Sequence, residues 1–284
     1  MSAVLLDGIA ISRQIRATAK MRVDALANAH GVRPGLAVIL VGDNPASRIY
    51  VRRKVQACRE VGMLSALHEF PSDVETGKII DQIERLNRDP ATHGILVQLP
   101  LPPQLEIQTI LRTIAIDKDV DGFHLYNVGG LVIGDTVFPP CTPYGVMKLL
   151  DSANIVVEGK NVTIVGASNI VGKPMAMMML RREATVAICH AKTRDLAQYT
   201  ILADILVVAA GVPGLITARM VRSGAVVIDV GINRLPSGRL VGDVEFDEVR
   251  CKASYITPVP GGVGPMTVTM LLENTIAAAE LRYS

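Results

Sequence analysis

Tyr50 and Lys54 stand four residues apart in a helical pattern, so a phenol and an amine share one face and the phenol can hydrogen-bond the amine. A surface lysine beside a tyrosine is the ordinary alternative. Their helix follows the apolar run Gly35–Val41, which places its early turns near the carboxyl ends of parallel strands, where open α/β sheets bind ligands. Gln98 closes a second run at 94–99, just before Pro100, and should arrive at the same edge. Asp121, in Lys118-Asp-Val-Asp-Gly122, is either an acceptor for a donor-rich ligand edge or a turn-forming aspartate.

A second group of residues suits a dinucleotide. Asn161–Val165 reads as a strand and Gly166-Ala167-Ser168-Asn169-Ile170-Val171-Gly172 as a turn. A helix then opens at Lys173, with Pro174 where a first turn tolerates it. Small residues at a strand-to-helix turn let the helix N-terminus face a pyrophosphate with its free N–H groups. Ser168 occupies the middle position and Gly172 falls one residue later than G-x-G-x-x-G requires, so a tight structural connection is the competing reading. Strand-like runs at 185–190, 205–210 and 225–230 favour the nucleotide site, the last two ending at Gly211 and Gly231, where a cofactor could approach backbone. The end of the second strand usually selects the cofactor. Here it is His190-Ala191-Lys192-Thr193-Arg194, basic rather than acidic, which favours the 2′-phosphate of NADP over the ribose hydroxyls of NAD. Basic residues at a solvated helix start would look the same.

The run from Tyr255 to Thr267 fixes φ at Pro258, Pro260 and Pro265 and frees it at Gly261, Gly262 and Gly264, so it is expected to be neither strand nor helix interior. It is a rigid linker, or a loop shaped for a flat ligand. A helix follows at 266–276, with Pro265 near its first turn.

The elements that must position these residues alternate. Helices are expected at Gly8–His30, 48–61, 75–87 and 106–114, with strands at Gly35–Val41, Leu64–Phe70 and 94–99 between them. That order implies parallel sheets covered by helices on both faces. Residues 117–140 read as irregular and as a domain boundary, with a helix at 142–150 beyond it. The division expected is 1–140, with 266–284 packing back on it, and 141–265.

Composition removes several classes of function. Apolar residues make up 49% of the 284, yet they come in runs too short to span a bilayer, and the start lacks the basic region of a secretory signal. A cytoplasmic protein is expected, with no membrane partner. Cys58, Cys141, Cys189 and Cys251 are widely spaced without a C-x-x-C pair, which argues against a zinc site and against a disulfide framework. Net charge is +2, aromatics are scarce and no basic block occurs, so there is no nucleic-acid footprint.

Taken together, five segments resemble the bifunctional methylenetetrahydrofolate dehydrogenase/methenyltetrahydrofolate cyclohydrolase family. They are Tyr50-Val-Arg-Arg-Lys54, Gly94-Ile-Leu-Val-Gln98-Leu99-Pro100, Lys118-Asp-Val-Asp121-Gly-Phe-His124, the turn from Gly166 to Gly172, and Thr257-Pro-Val-Pro-Gly-Gly-Val-Gly-Pro-Met-Thr267. The resemblance covers essentially the whole chain, and the last segment is the most specific. It implies an α/β protein of two domains: an N-terminal αβα catalytic domain and a C-terminal Rossmann-like NAD(P)-binding domain, the last helix returning to the first. It also implies a homodimer, a folate substrate with or without a polyglutamate tail, and NADP as cofactor; no metal is expected.

Carried over by position, Lys54 is the catalytic lysine, Tyr50 and Gln98 its partners, and Asp121 the anchor of the pterin. Leu99, Pro100, Pro258, Gly261, Gly262 and Pro265 then belong to the folate wall. Gly166, Ala167, Ser168, Ile170, Gly211, Gly231 and Ile232 belong to the cofactor site, with Lys192 and Arg194. Three positions depart from many relatives: Gly130 stands in place of arginine, and Ala167 and Ala191 replace an arginine and a serine that grip the 2′-phosphate. Another two-domain dehydrogenase would leave the Tyr/Lys pair and the proline-glycine loop unexplained together. A non-catalytic nucleotide-binding relic would not keep Lys54, Gln98 and Asp121.

Overall fold

Along the chain, the computed structural model, which describes residues 2–283, runs β1 (Val4–Leu5), α1 (Gly8–His30), β2 (Gly35–Val41), α2 (Pro45–Val61), β3 (Leu64–Phe70), α3 (Thr76–Arg88), β4 (Gly94–Val97), α4 (Ile107–Thr113), α5 (Leu125–Ile133) and α6 (Cys141–Ser152). It continues through β5 (Asn161–Val165), α7 (Gly172–Leu180), β6 (Thr185–Cys189), α8 (Ala197–Thr200), β7 (Ile205–Val208), β8 (Val226–Asp229), β9 (Asn233–Arg234), β10 (Leu240–Val241), α9 (Phe246–Arg250), β11 (Tyr255–Ile256) and α10 (Val263–Glu280).

β2 is buried at every position, the pattern of a central parallel strand covered on both faces. It pairs in parallel with β3 and β4, giving the order β3-β2-β4. One face of this sheet meets α3 and α4. Ile79, Ile83 and Leu86, spaced three and four apart, pack with Ile110 and Leu111 against Ala37, Ile39, Ile95 and Val97. α2 begins earlier than the periodicity suggests. Asn44 caps it by accepting from the N–H groups of Ala46 and Ser47, and Pro45 occupies the first helical position.

The second sheet is parallel throughout, in the order β1-β11-β8-β7-β5-β6. β5 comes first in its nucleotide-binding half and is flanked by β6 and β7, so the strand order reverses at its carboxyl end, where such sheets bind ligands. The glycine turn follows there.

Two compact units result. One joins the N-terminal stretch through Arg13 to Thr142–Thr267, and the other joins Gln14–Cys141 to the stretch from Val268 onward. The N-terminal residues therefore fall outside the 1–140 unit expected from the sequence. Pairing explains this, because Val4 lies beside Tyr255 and Leu5 beside Ile256. That pairing also makes a strand of Tyr255–Ile256, within a run expected to be loop alone.

The last helix does return. Asn274 Nδ2 donates to the carbonyls of Val120 (2.8 Å) and Pro139 (3.0 Å), and Arg22 bridges Glu273 and Glu280. The stretch expected to be irregular contains α5, capped by the His124 side chain, which accepts from Tyr126 N. Gly130 is required where it stands, because a Cβ there would lie 2.4 Å from the carbonyl oxygen of Asp135. Among the described residues, no helix is long and apolar enough to cross a membrane.

Candidate active site

Lys54 lies in the third turn of α2 and is buried, at 8% exposure. An ammonium in such a place requires partners. Its Nζ donates to Gln98 Oε1 at 3.0 Å, and Gln98 in turn donates to the carbonyl of Leu99 at 2.7 Å. Gln98 immediately follows β4, so a rigid strand end aims its amide at the helix. No hydrogen bond joins Lys54 to Tyr50, the partner suggested by spacing. Tyr50 is half-buried, which pushes its phenol above the ordinary range against the nearby charge of Arg53.

Asp121 belongs to the same cluster. Burial pushes its carboxyl upward, while the charge of Lys54 and a hydrogen bond from the Cys141 thiol pull it down. Burial beside Asp121 keeps that thiol protonated, and its one proton is shared between that carboxylate and the carbonyl of Val120, 3.3 Å away. Amine, amide and carboxylate thus meet in one unit, delivered by a helix, a strand end and a loop.

The loop bearing Asp121 is shaped by residues that sequence reasoning missed. Asp119, almost wholly buried, accepts from the N–H groups of Phe123 (3.2 Å) and His124 (2.8 Å) and from Asn127 Nδ2 (2.7 Å). Desolvation raises its pKa to about 6, although the bonds from Asn127 and His124 oppose this. Asn127 accepts from Val137 and Phe138 N–H, closing the far side of the loop. Lys118 is buried too, its Nζ donating to the carbonyls of Leu86 and Asp89, so it closes the end of α3. Its neighbour Asp121, two residues past Asp119, is the group left for a ligand.

The other unit holds a cavity of about 520 Å³ at the carboxyl ends of β5, β6 and β7. Gly166, Ala167, Ser168 and Arg194 line it, as the sequence led one to expect, and so do His190 and Thr193. Ile170, Lys192, Gly211, Gly231 and Ile232 are not among its lining residues. Ser168 has a local role as well, its Oγ accepting from Val171 N and Gly172 N at the opening of α7. The fit to a dinucleotide is steric and chemical. A Cβ on Gly172 would sit 1.9 Å from the carbonyl of Gly166, and one on Gly166 2.2 Å from that of Ala209. Only glycines allow the turn to pass this close to the sheet, leaving small residues and a guanidinium around the cavity. Among the described residues, no group of three or more His, Cys, Asp or Glu side chains could hold a metal ion.

The loop before α10 is rigid. Pro258 O accepts from Gly262 N at 2.8 Å, Gly261 O accepts from Ile9 N at 3.1 Å, and Thr257 Oγ1 accepts from Asp229 N at 2.7 Å. Pro260 is cis.

Comparison with known proteins agrees with both halves. Residues 6–121 match the model of the tetrahydrofolate dehydrogenase/cyclohydrolase catalytic domain, and residues 140–283 match that of the NAD(P)-binding domain. The bifunctional protein FolD of Nitrosospira multiformis is 58% identical over 284 residues, covering 100% of this chain and 98% of that relative. The crystal structure of the bifunctional FolD enzyme from Campylobacter jejuni superposes with a TM-score of 0.97 at 52% identity, covering 99% of this chain and 100% of that one. That of Trypanosoma brucei FolD, complexed with NADP and an inhibitor, gives 0.97 at 39% identity, covering 100% of this chain and 99% of that one. With both domain models matched in order and the relatives aligned from end to end, the chain belongs to the tetrahydrofolate dehydrogenase/cyclohydrolase family.

Proposed function

We propose that Lys54, Gln98 and Asp121 carry the folate chemistry of this enzyme, and that the cavity after β5 holds its cofactor. The enzyme catalyses two consecutive reactions. The first is NADP-dependent oxidation of 5,10-methylenetetrahydrofolate to 5,10-methenyltetrahydrofolate, and the second is hydrolysis of that product to 10-formyltetrahydrofolate. The observation that supports the assignment most is the buried Lys54 amine, fixed by Gln98 and electrostatically coupled to Asp121.

Bound NADP supplies the hydride acceptor. The folate nitrogens drive loss of the hydride, so the first step requires proximity and orientation more than an acid or base. The second step needs proton transfer, because water adds to the methenyl carbon and a carbon–nitrogen bond then breaks. That proton transfer is assigned to Lys54 Nζ, with Gln98 as its hydrogen-bond partner and Tyr50 one turn earlier on the same helix. Asp121 accepts from the amino and ring N–H groups of the pterin. Leu99 and Pro100, directly after Gln98, are assigned to the same folate surface. Pro258, Gly261, Gly262 and Pro265 are assigned to folate as well, supported by the rigid build of their loop.

Gly166, Ala167 and Ser168 are assigned to the cofactor phosphates, and Ile170, Gly211, Gly231 and Ile232, which do not line the cavity, to its surroundings. The 2′-phosphate falls to Arg194, which lines the cavity, more than to Lys192, which does not. Arg194→Ala should therefore raise the KM for NADP by about tenfold or more with little change for NAD, since a guanidinium grips phosphate bidentately. Lys192→Ala should do less. Steady-state kinetics with both cofactors check this, and equal losses for NADP and NAD would remove Arg194 from the phosphate site.

A homodimer is part of the proposal. β6 ends the larger sheet with one side unpaired, and Ile188 upon it is exposed, as are Leu180, Tyr199, Ile201 and Leu202 in the neighbouring sequence. A cytoplasmic enzyme is also proposed, in keeping with four cysteines that are all free thiols. Polyglutamate tails on the folate are compatible with this reading. The whole is tested by mixing purified protein with 5,10-methylenetetrahydrofolate and NADP and following reduced cofactor and the methenyl species separately. Reduced cofactor should accumulate with only transient methenyl product, and no cofactor reduction would sink the assignment.

A further inference from the structure

Asp229 and Asp243 are buried carboxylates for which the folate chemistry has no use, at 3% and 0% exposure. Asp229 ends β8, and Asp243 is carried back beside it by the hairpin of β9 and β10. One oxygen of Asp243 accepts from Ala210 N at 2.7 Å and Gly211 N at 2.8 Å, and the other from Asn233 Nδ2 at 2.8 Å. Asp229 in turn holds the backbone of Asp243, accepting from its N–H at 3.0 Å and from Val244 N–H at 3.0 Å. The approach is close enough that a Cβ on Gly242 would lie 1.8 Å from Asp229 Oδ2. Burial pushes Asp229 up to about 7 despite these backbone N–H groups, so its ionised form is disfavoured here.

What the pair does hold is a wall of the cofactor cavity. Ala209 and Ala210 line that cavity directly after β7, and the N–H groups of Ala210 and Gly211 would have no strand partner once the sheet has ended. Resting on the reading of the cavity as the NADP site, we propose that Asp243 is a positioning residue for the cofactor. It draws the Ala210 and Gly211 N–H groups inward and, through Asn233, ties the loop after β7 to the loop after β8. The β9–β10 hairpin then has a purpose, since it supplies both Asn233 and the return of the chain to Asp243.

Asp243→Asn is nearly isosteric. Its single amide oxygen can keep Ala210 and Gly211, but its NH2 then faces the NH2 of Asn233. The double variant Asn233→Asp/Asp243→Asn restores a donor facing an acceptor at that contact. Calorimetric titration of the folate-free proteins with NADP should show affinity reduced by about tenfold in the single variant, the scale of one charge-assisted hydrogen bond, and recovered in the double variant. Cyclohydrolase turnover of added methenyltetrahydrofolate without NADP should be unchanged in both. Asn233→Ala, which leaves Asp243 intact, should weaken NADP by a smaller factor and serves if Asp243→Asn does not fold. Unchanged NADP affinity in Asp243→Asn, or a double variant as weak as the single one, overturns the proposal. Wild-type protein that gives no heat with NADP overturns instead the reading of the cavity, and this proposal with it.

Discussion

Lys54→Met protein should lose cyclohydrolase activity by at least about a hundredfold, the lower end of what removing a positioned acid or base removes, while still oxidising methylenetetrahydrofolate. Methionine keeps much of the length and apolar body of lysine, so the buried space that the Lys54 side chain occupies stays filled. What disappears is the proton carrier. Gln98 loses its donor, but its own amide still bonds the Leu99 carbonyl, so the strand end keeps its shape. Dehydrogenase activity should fall less, because hydride transfer asks nothing of Nζ beyond lining the folate. It will not be untouched. The charge of Lys54 is one of the influences holding the Asp121 carboxyl down, so its removal lets that carboxyl rise further and weakens the pterin contact. Saturating folate separates the two effects, since a binding loss then vanishes while a lost proton transfer does not. Methenyl product should accumulate. A folded Lys54→Met enzyme that hydrolyses methenyltetrahydrofolate at the wild-type rate would make the lysine a binding residue only.

Much of this arrangement is legible in the chain because of how parallel sheets are built. β2, β4, β5, β7 and β8 are short runs of Val, Ile and Leu, buried on both faces, and such runs stand out wherever charged helices separate them. The Lys54 and Gln98 pairing follows from the same grammar, since the helix bearing Lys54 leaves the carboxyl end of β2 and Gln98 follows that of the adjoining β4. β1 and β11 are two residues each, too short to show a period, and they become strands only because the fold brings residues 251 apart in the chain into register with one another, and β11 beside β8. α5 contains Gly129 and Gly130, which read as breakers, yet His124 caps it and buried Asn127 anchors it. Asp119, Asp243 and Asn274 escape notice for a different reason. Their types are those of ordinary surface residues, and nothing local marks them as buried until the fold supplies the backbone groups they satisfy. The cavity after β5 shows the same limit, because small residues at a turn suggest a phosphate site, whereas the place of His190 and Thr193 in its lining is seen only in the fold.

Asp121→Ala should weaken folate by one to two decades while leaving NADP affinity as it was. A pterin presents an edge of N–H donors, and an ionised carboxylate offers only acceptors, so the match is one of charge-assisted hydrogen bonds worth about 1.5–3 kcal/mol. The surrounding loop should survive the substitution. Its backbone is held by Asp119, which takes the Phe123 and His124 N–H groups, and by Asn274, which takes the Val120 carbonyl; neither depends on Asp121. The Cys141 thiol keeps the Val120 carbonyl as acceptor. The pH dependence gives the sign of the interaction. Burial raises the Asp121 carboxyl above the usual carboxylate range, so acidification protonates it early and replaces an acceptor by a donor facing the pterin donors. Wild-type affinity should therefore fall on acidification from neutrality more steeply than that of the alanine variant, and the gap between the two proteins should narrow. Titration of the folate itself affects both proteins alike and cancels in the comparison. Calorimetric titration of each protein with folate and, separately, with NADP, near neutrality and after acidification, measures the affinities compared. Equal folate affinity in the two proteins near neutrality would remove Asp121 from the pterin site. A gap that widens on acidification would show that the residue binds in its protonated form.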